Sequence, residues 1–307
     1  MIGLLFEGFL LSNRRFLSAS GVCLALLAAP STARAEQRLE WKDEWRRVGA
    51  VEYVATGTLA FASYAIHQWL PPALEPSWTR PVLFDWGTRG WLGIGSRRGR
   101  ANAGTASDVL VVLSGVQPLL VDSLFVPGVL DQNGDVAHQM SIISLQAYAL
   151  TFFLNASAKR IVARQRPYVV GCQKDPEYND ACQDLDRFRS YYSGHAAIAA
   201  TGAGLVCAHH THLPLYGGGA ADGVACGGAL GLALATGALR ILADRHWASD
   251  VLTGYLVGFA SGYLIPTLLY YGSFRRAQEE EQPADTQLPL APRTSTPLIP
   301  LTFAGRF

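Results

Sequence analysis

Six apolar segments, at 49–70, 106–130, 139–158, 195–213, 223–239 and 251–271, leave this chain few ways to fold. Each is long enough for a helix, and no strand-like alternation competes. Helices joined by connectors run antiparallel, so the connectors after the first, third and fifth segments share one end of a bundle. Half of the 307 residues are hydrophobic, 16% are charged, and mean hydropathy is +0.16. Those values suit either a membrane bundle or an apolar soluble one. The net charge of +1 leaves no basic excess for a general nucleic-acid binder.

Polar chemistry gathers where these segments meet. Arg240 closes the fifth, and His246 and Asp250 open the sixth. Spaced i, i+4 on a helix, the imidazole and carboxylate would share a face, and the carboxylate would fix the ring's tautomer. Arg240 adds a permanently charged fork suited to phosphate oxygens. The stretch 159–167 ends the third segment and places Lys159 and Arg166 two helical turns apart. Tyr192-Ser193-Gly194-His195 opens the fourth. The Ser193 hydroxyl and the amide of Gly194, at a helix N-terminus, can donate to an anion. Three cations, a Ser-Gly turn and two histidines at one end describe an oxyanion site.

Lys-x6-Arg-Pro, then Ser-Gly-His, then Arg-x5-His-x3-Asp, in that order, resembles the type 2 phosphatidic acid phosphatase and vanadium haloperoxidase superfamily, over roughly residues 105–271. Tyr192 stands where the family commonly has Pro, and Leu239 where it commonly has Ser. The resemblance implies an all-α, six-helix bundle embedded in a membrane. It also implies catalytic roles for His246 (nucleophile), His195 (acid and base) and Asp250 (orienting His246). Lys159, Arg166, Ser193, Gly194 and Arg240 would hold the phosphate. Neither metal nor other cofactor is required, because the cations neutralise the transferred group. The expected activity is hydrolysis of a phospholipid or isoprenyl phosphate. A soluble periplasmic acid phosphatase of broad specificity and a vanadium-dependent haloperoxidase are the rival readings.

Around this catalytic region, 105–272, the sequence divides into three appendages. Residues 1–35 read as an export signal: Arg14 and Arg15 precede an apolar run, and Ala33-Arg34-Ala35 fits a cleavage site. Residues 36–104 hold N-terminal helices and a loop. In this part, 36–47 is expected as a surface or interfacial helix, and the loop 71–102 either covers the bundle's far end or lies at a membrane surface. Residues 273–307 are Glu-, Pro- and Thr-rich and read as a disordered tail. Cys172 and Cys182 lie ten positions apart in a polar loop and can form a disulfide in an exported protein, with free thiols or a metal pair as alternatives. Cys207 and Cys226 read as buried core. His209, His210 and His212 fall at the end opposite the oxyanion site, where a helix C-terminus favours cations.

The expected location is the bacterial inner membrane with the site facing the periplasm, or the periplasm itself. One conflict is built in. A cleaved signal followed by six spanning segments would turn the site towards the cytoplasm, as the arginines of its connectors also suggest, whereas a Cys172–Cys182 bridge points outward.

Overall fold

A computed structural model describes residues 39–272; the expected signal at 1–35 and tail at 273–307 lie outside them. The described chain is helical, with one isolated bridge, Trp78 to Arg164, as its only β pairing. The helices are α1 (Ala50–Trp69), α2 (Asp85–Leu92), α3 (Arg97–Val116), α4 (Gly134–Val162), α5 (Pro167–Cys172), α6 (Gly194–His212), α7 (Ala220–Leu242), α8 (Ala248–Phe259) and α9 (Ile265–Leu269). Helix α3 continues as a wider, π-helical stretch, Gln117–Leu130. There Pro118 and Pro127 lack the amide that a regular α-turn needs. A shorter π-helical turn, Ala260–Leu264, joins α8 to α9.

Helix α6 is the axis. It is buried along most of its length and packs on α7, α8 and α3. Its sequence explains how so many neighbours reach it, because Ala and Gly dominate. On α8 and the π-helical turn after it, Gly254, Gly258 and Gly262 recur every fourth residue against α6, the last two on Ala197 and Thr201. A Cβ on Gly258 would come within 2.1 Å of the Ala197 carbonyl, and one on Gly262 within 2.1 Å of the Thr201 carbonyl. Small residues at this spacing let two backbones touch, the packing that apolar surroundings reward.

Four stretches are long and apolar enough to cross a membrane: Arg97–Leu130, Gly134–Val162, Ala220–Leu242 and Ala248–Leu269. Their outward faces carry large apolar side chains such as Val112, Phe125, Leu234 and Leu256. Helix α1 lies along α4, and Glu52 in its first turn is buried because it takes the Gly49 amide and pairs with Arg46.

Three expectations change. Residues 39–49 form no surface helix. They tuck under one end of the bundle with Trp41 and Trp45 buried against Tyr271, whose ring lies 4.9 Å from that of Trp45. Two indoles bury more apolar area in that corner than an exposed helix would. The loop after α1 does not cover the far end: Ser77 donates to the Ala163 carbonyl and Gln165 to that of Trp78, so it lies over the motif-bearing end. Cys207 and Cys226 are not free core thiols but a disulfide between α6 and α7.

The histidines at the C-terminus of α6 lie at the opposite end, as expected, held by partners the sequence left unnamed. His209 bonds Tyr271 (2.6 Å) and Ser144 (3.2 Å). His210 lies between Asp222 and Asp122, and His212 stacks on Tyr271.

Candidate active site

The three motifs meet at one mouth. Lys159 ends α4, Arg166 precedes α5, Ser193 caps α6, Arg240 ends α7, and His246 lies in the turn before α8. Gly194 lies directly against the first motif. A Cβ there would come 2.9 Å from Asn155 Oδ1 and 3.3 Å from Lys159 Nζ. Gly194→Ala should therefore push Asn155 aside, shift the ammonium slightly and lower kcat/KM by up to about tenfold, less than a full misplacement of about 1 Å would cost. Kinetics and a thermal melt of the same variant check this: the rate should fall and the melting midpoint should hardly move.

Ser193 is fully buried, and its Oγ accepts from the Ala196 amide at 3.4 Å. The hydroxyl proton remains available to an anion. Arg166 is held by two carbonyls, Asp186 O at 2.9 Å from Nε and Arg245 O at 3.1 Å from Nη1. The Nε of Arg240 is buried without a hydrogen-bond partner among the described residues.

His246 departs from expectation. It precedes α8 instead of lying on it, because Asp250 caps the helix by accepting the Trp247 amide at 3.0 Å. Its Nδ1 is 3.7 Å from Asp250, too far for a hydrogen bond, and 2.8 Å from the Ser190 carbonyl. A carbonyl only accepts, so Nδ1 carries the proton and Nε2 the lone pair. That lone pair faces Arg166 Nη1 at 3.4 Å. Burial pushes the imidazole well below its ordinary pKa, and the charges of Arg166, Arg240 and Lys159 push the same way. The ring is neutral at pH 7.

Asp250 acts on this ring through Ser190, whose Oγ donates to Asp250 at 2.5 Å while its carbonyl holds His246. The other carboxylate oxygen takes Arg164 Nη1 at 2.5 Å. Arg164 is itself buried, stacked 3.9 Å from the Trp78 ring, and bonded to Asp85 at 2.5 Å. Asp85 also accepts the Ser249 amide at 2.8 Å. His195 directs Nε2 to Asp108 Oδ1 at 2.7 Å, and the same oxygen takes Arg240 Nη1 at 3.1 Å.

Four of these supporting residues escaped the sequence reading. Asp108 was the most findable, as a carboxylate inside an apolar segment. Arg164 stood within the first motif but between its two prominent cations. Nothing local marks Asp85 or Ser190. Beside the mouth, Cys172 and Cys182 are bridged, with Cα atoms 5.6 Å apart.

The mouth thus joins fixed cations, an unprotonated ring nitrogen and a carboxylate-bound imidazole, which suits transfer of a tetrahedral oxyanion group. No curated protein matches the chain. A family model described as the PAP2 superfamily matches residues 141–273, which contain every motif residue of the mouth. Through that stretch the chain is similar to the PAP2 superfamily, that of the type 2 phosphatidic acid phosphatases.

Proposed function

We propose that this protein is a metal-independent phosphatase that hydrolyses lipid or isoprenoid phosphate esters through a phosphohistidine. The match of residues 141–273 to the PAP2 superfamily supports phosphatase- or haloperoxidase-type activity, and the neutral His246 Nε2 facing Arg166 carries the finer reading. Nε2 attacks phosphorus as the bond to the ester oxygen breaks. His195, taking up the proton of the incoming phosphate monoanion, gives it to the departing alkoxide. It then takes one from water, whose oxygen displaces His246 and releases inorganic phosphate. Lys159, Arg166, Arg240, Ser193 and the Gly194 amide hold the equatorial oxygens, where charge builds up.

The proposed setting is a six-helix bundle in the bacterial inner membrane, with residues 105–272 as its catalytic part. The outward apolar faces of the four long helices support a substrate whose tail stays in lipid. The Cys172–Cys182 bridge supports a mouth on the oxidising, periplasmic side.

Phosphate release in detergent with EDTA, from a phosphatidate, an isoprenyl diphosphate and a soluble ester, tests this. Preference for a lipid substrate is the expected result. Better turnover of the soluble ester would mark a broad-specificity acid phosphatase. Bromide oxidation with vanadate and peroxide, and no phosphate release, would replace the reading with a haloperoxidase.

Asp108 sharpens the role of His195. Asp108→Asn should slow hydrolysis of alkyl phosphates about tenfold or more, because the imidazolium loses its carboxylate. p-Nitrophenyl phosphate should suffer less, as its leaving group needs little protonation. Parallel kcat values on the two esters measure the difference.

A further inference from the structure

The connector between α1 and α3 is inside-out for a surface segment. Two of its charged groups point inward: Asp85 is fully buried on Arg164 and Ser249, and Arg89 binds Asp244 at 2.7 Å. Its large apolar groups point outward. Leu74 is 83% exposed, Leu83 88% and Trp91 84%, with Phe84 and Trp86 about half exposed. A water-facing loop would reverse this arrangement, since scattered apolar residues are ordinary but a cluster beside a functional mouth marks a contact surface.

Its position says what the surface meets. The connector runs directly into Arg97, where the first apolar stretch begins. It is bonded to Ala163 and Gln165, just past the end of the second. Through Asp244 and Ser249 it is tied to the turn between the third and fourth. All four stretches have an end at its level, so in a bilayer it lies at the boundary between headgroups and acyl chains. Tryptophan and leucine beside exposed Arg80 and Arg98 are the side chains suited to that depth.

We infer that residues 71–96 form a lipid-docking plate, seated on the surface of the leaflet from which substrate enters, with Leu74, Leu83 and Trp91 immersed. This rests on the membrane reading above. Because Asp85 and Arg89 tie the plate to Arg164 and Asp244, immersion and the His246 support are one rigid unit.

The full chain in phosphatidylcholine nanodiscs tests the inference. With acyl chains brominated near the headgroup, Trp91→Phe should remove from the quenched part of the emission up to about one seventh of the total fluorescence, Trp91 being one of seven tryptophans and an exposed one. Unchanged quenching overturns the plate, and this readout stands even if the wild-type protein releases no phosphate. In the same discs, Leu74→Glu with Trp91→Glu should raise KM for phosphatidate about tenfold and leave p-nitrophenyl phosphate turnover unchanged. Equal losses on both substrates would assign these side chains to the fold and overturn the inference. So would a change in the number of copies per disc, which would make the face a contact between protomers.

Discussion

On the proposed mechanism, His246→Ala should lower phosphate release by at least about 10⁴-fold, the scale of losing a nucleophile whose partners act only with it. The ring is held by the Ser190 carbonyl on one nitrogen and faces Arg166 with the other. Substrate affinity should change little, because the cations remain. Quenched-flow trapping of a base-stable, acid-labile phosphoprotein in the wild type, absent from the variant, checks the same point. A variant that keeps more than about 1% of the rate would leave His246 a spectator. The pH profile adds a signed expectation. Burial and neighbouring cations depress the His246 pKa, so the acid limb of kcat/KM belonging to this group lies below the ordinary imidazole value of about 6.5.

On the same mechanism, Arg166→Ala should cost both binding and rate, by about 10²- to 10³-fold in kcat/KM. Its guanidinium is fixed by the carbonyls of Asp186 and Arg245 before any substrate arrives, so it needs no reorganisation as charge develops. Arg166→Lys should recover little, since a single ammonium cannot keep two carbonyls and still address a phosphate oxygen. Steady-state kinetics would show KM rising and kcat falling together. A change confined to KM would limit Arg166 to ground-state binding.

The mouth was legible because its residues are chemically unusual for their surroundings. Lys159, Arg166, Arg240 and His246 each interrupt or end an apolar run, and alternation of helix direction was enough to place them at one end. The support behind them was not legible. Asp85 reaches Arg164 across 79 positions, and Ser190 reaches Asp250 across 60, so no local pattern connects them. Periodicity overextended the helix at 246: the i, i+4 spacing was real, but the Asp250 carboxylate is spent on the Trp247 amide and starts the helix two residues later. The same blindness hid Cys207–Cys226, where two apolar helices approach closely enough for their thiols to meet.

In the proposed membrane setting, the direction of α1 ties the disulfide and the leader to one choice of sidedness. Arg47 and Val48 bond Asp135 and Gln139 at the start of α4, while the carbonyl of Ile66 bonds Arg160 at its end. Leu39 and the catalytic mouth therefore occupy opposite poles of the molecule. Across a bilayer they would face different compartments. Cleavage after Ala35 takes place outside, and would leave the mouth bathed in cytoplasmic thiols that reduce a loop disulfide. In the proposed membrane setting, an oxidised Cys172–Cys182 goes with an uncleaved leader, and a cleaved leader with free Cys172 and Cys182. Processing at one pole and redox state at the other are a single variable.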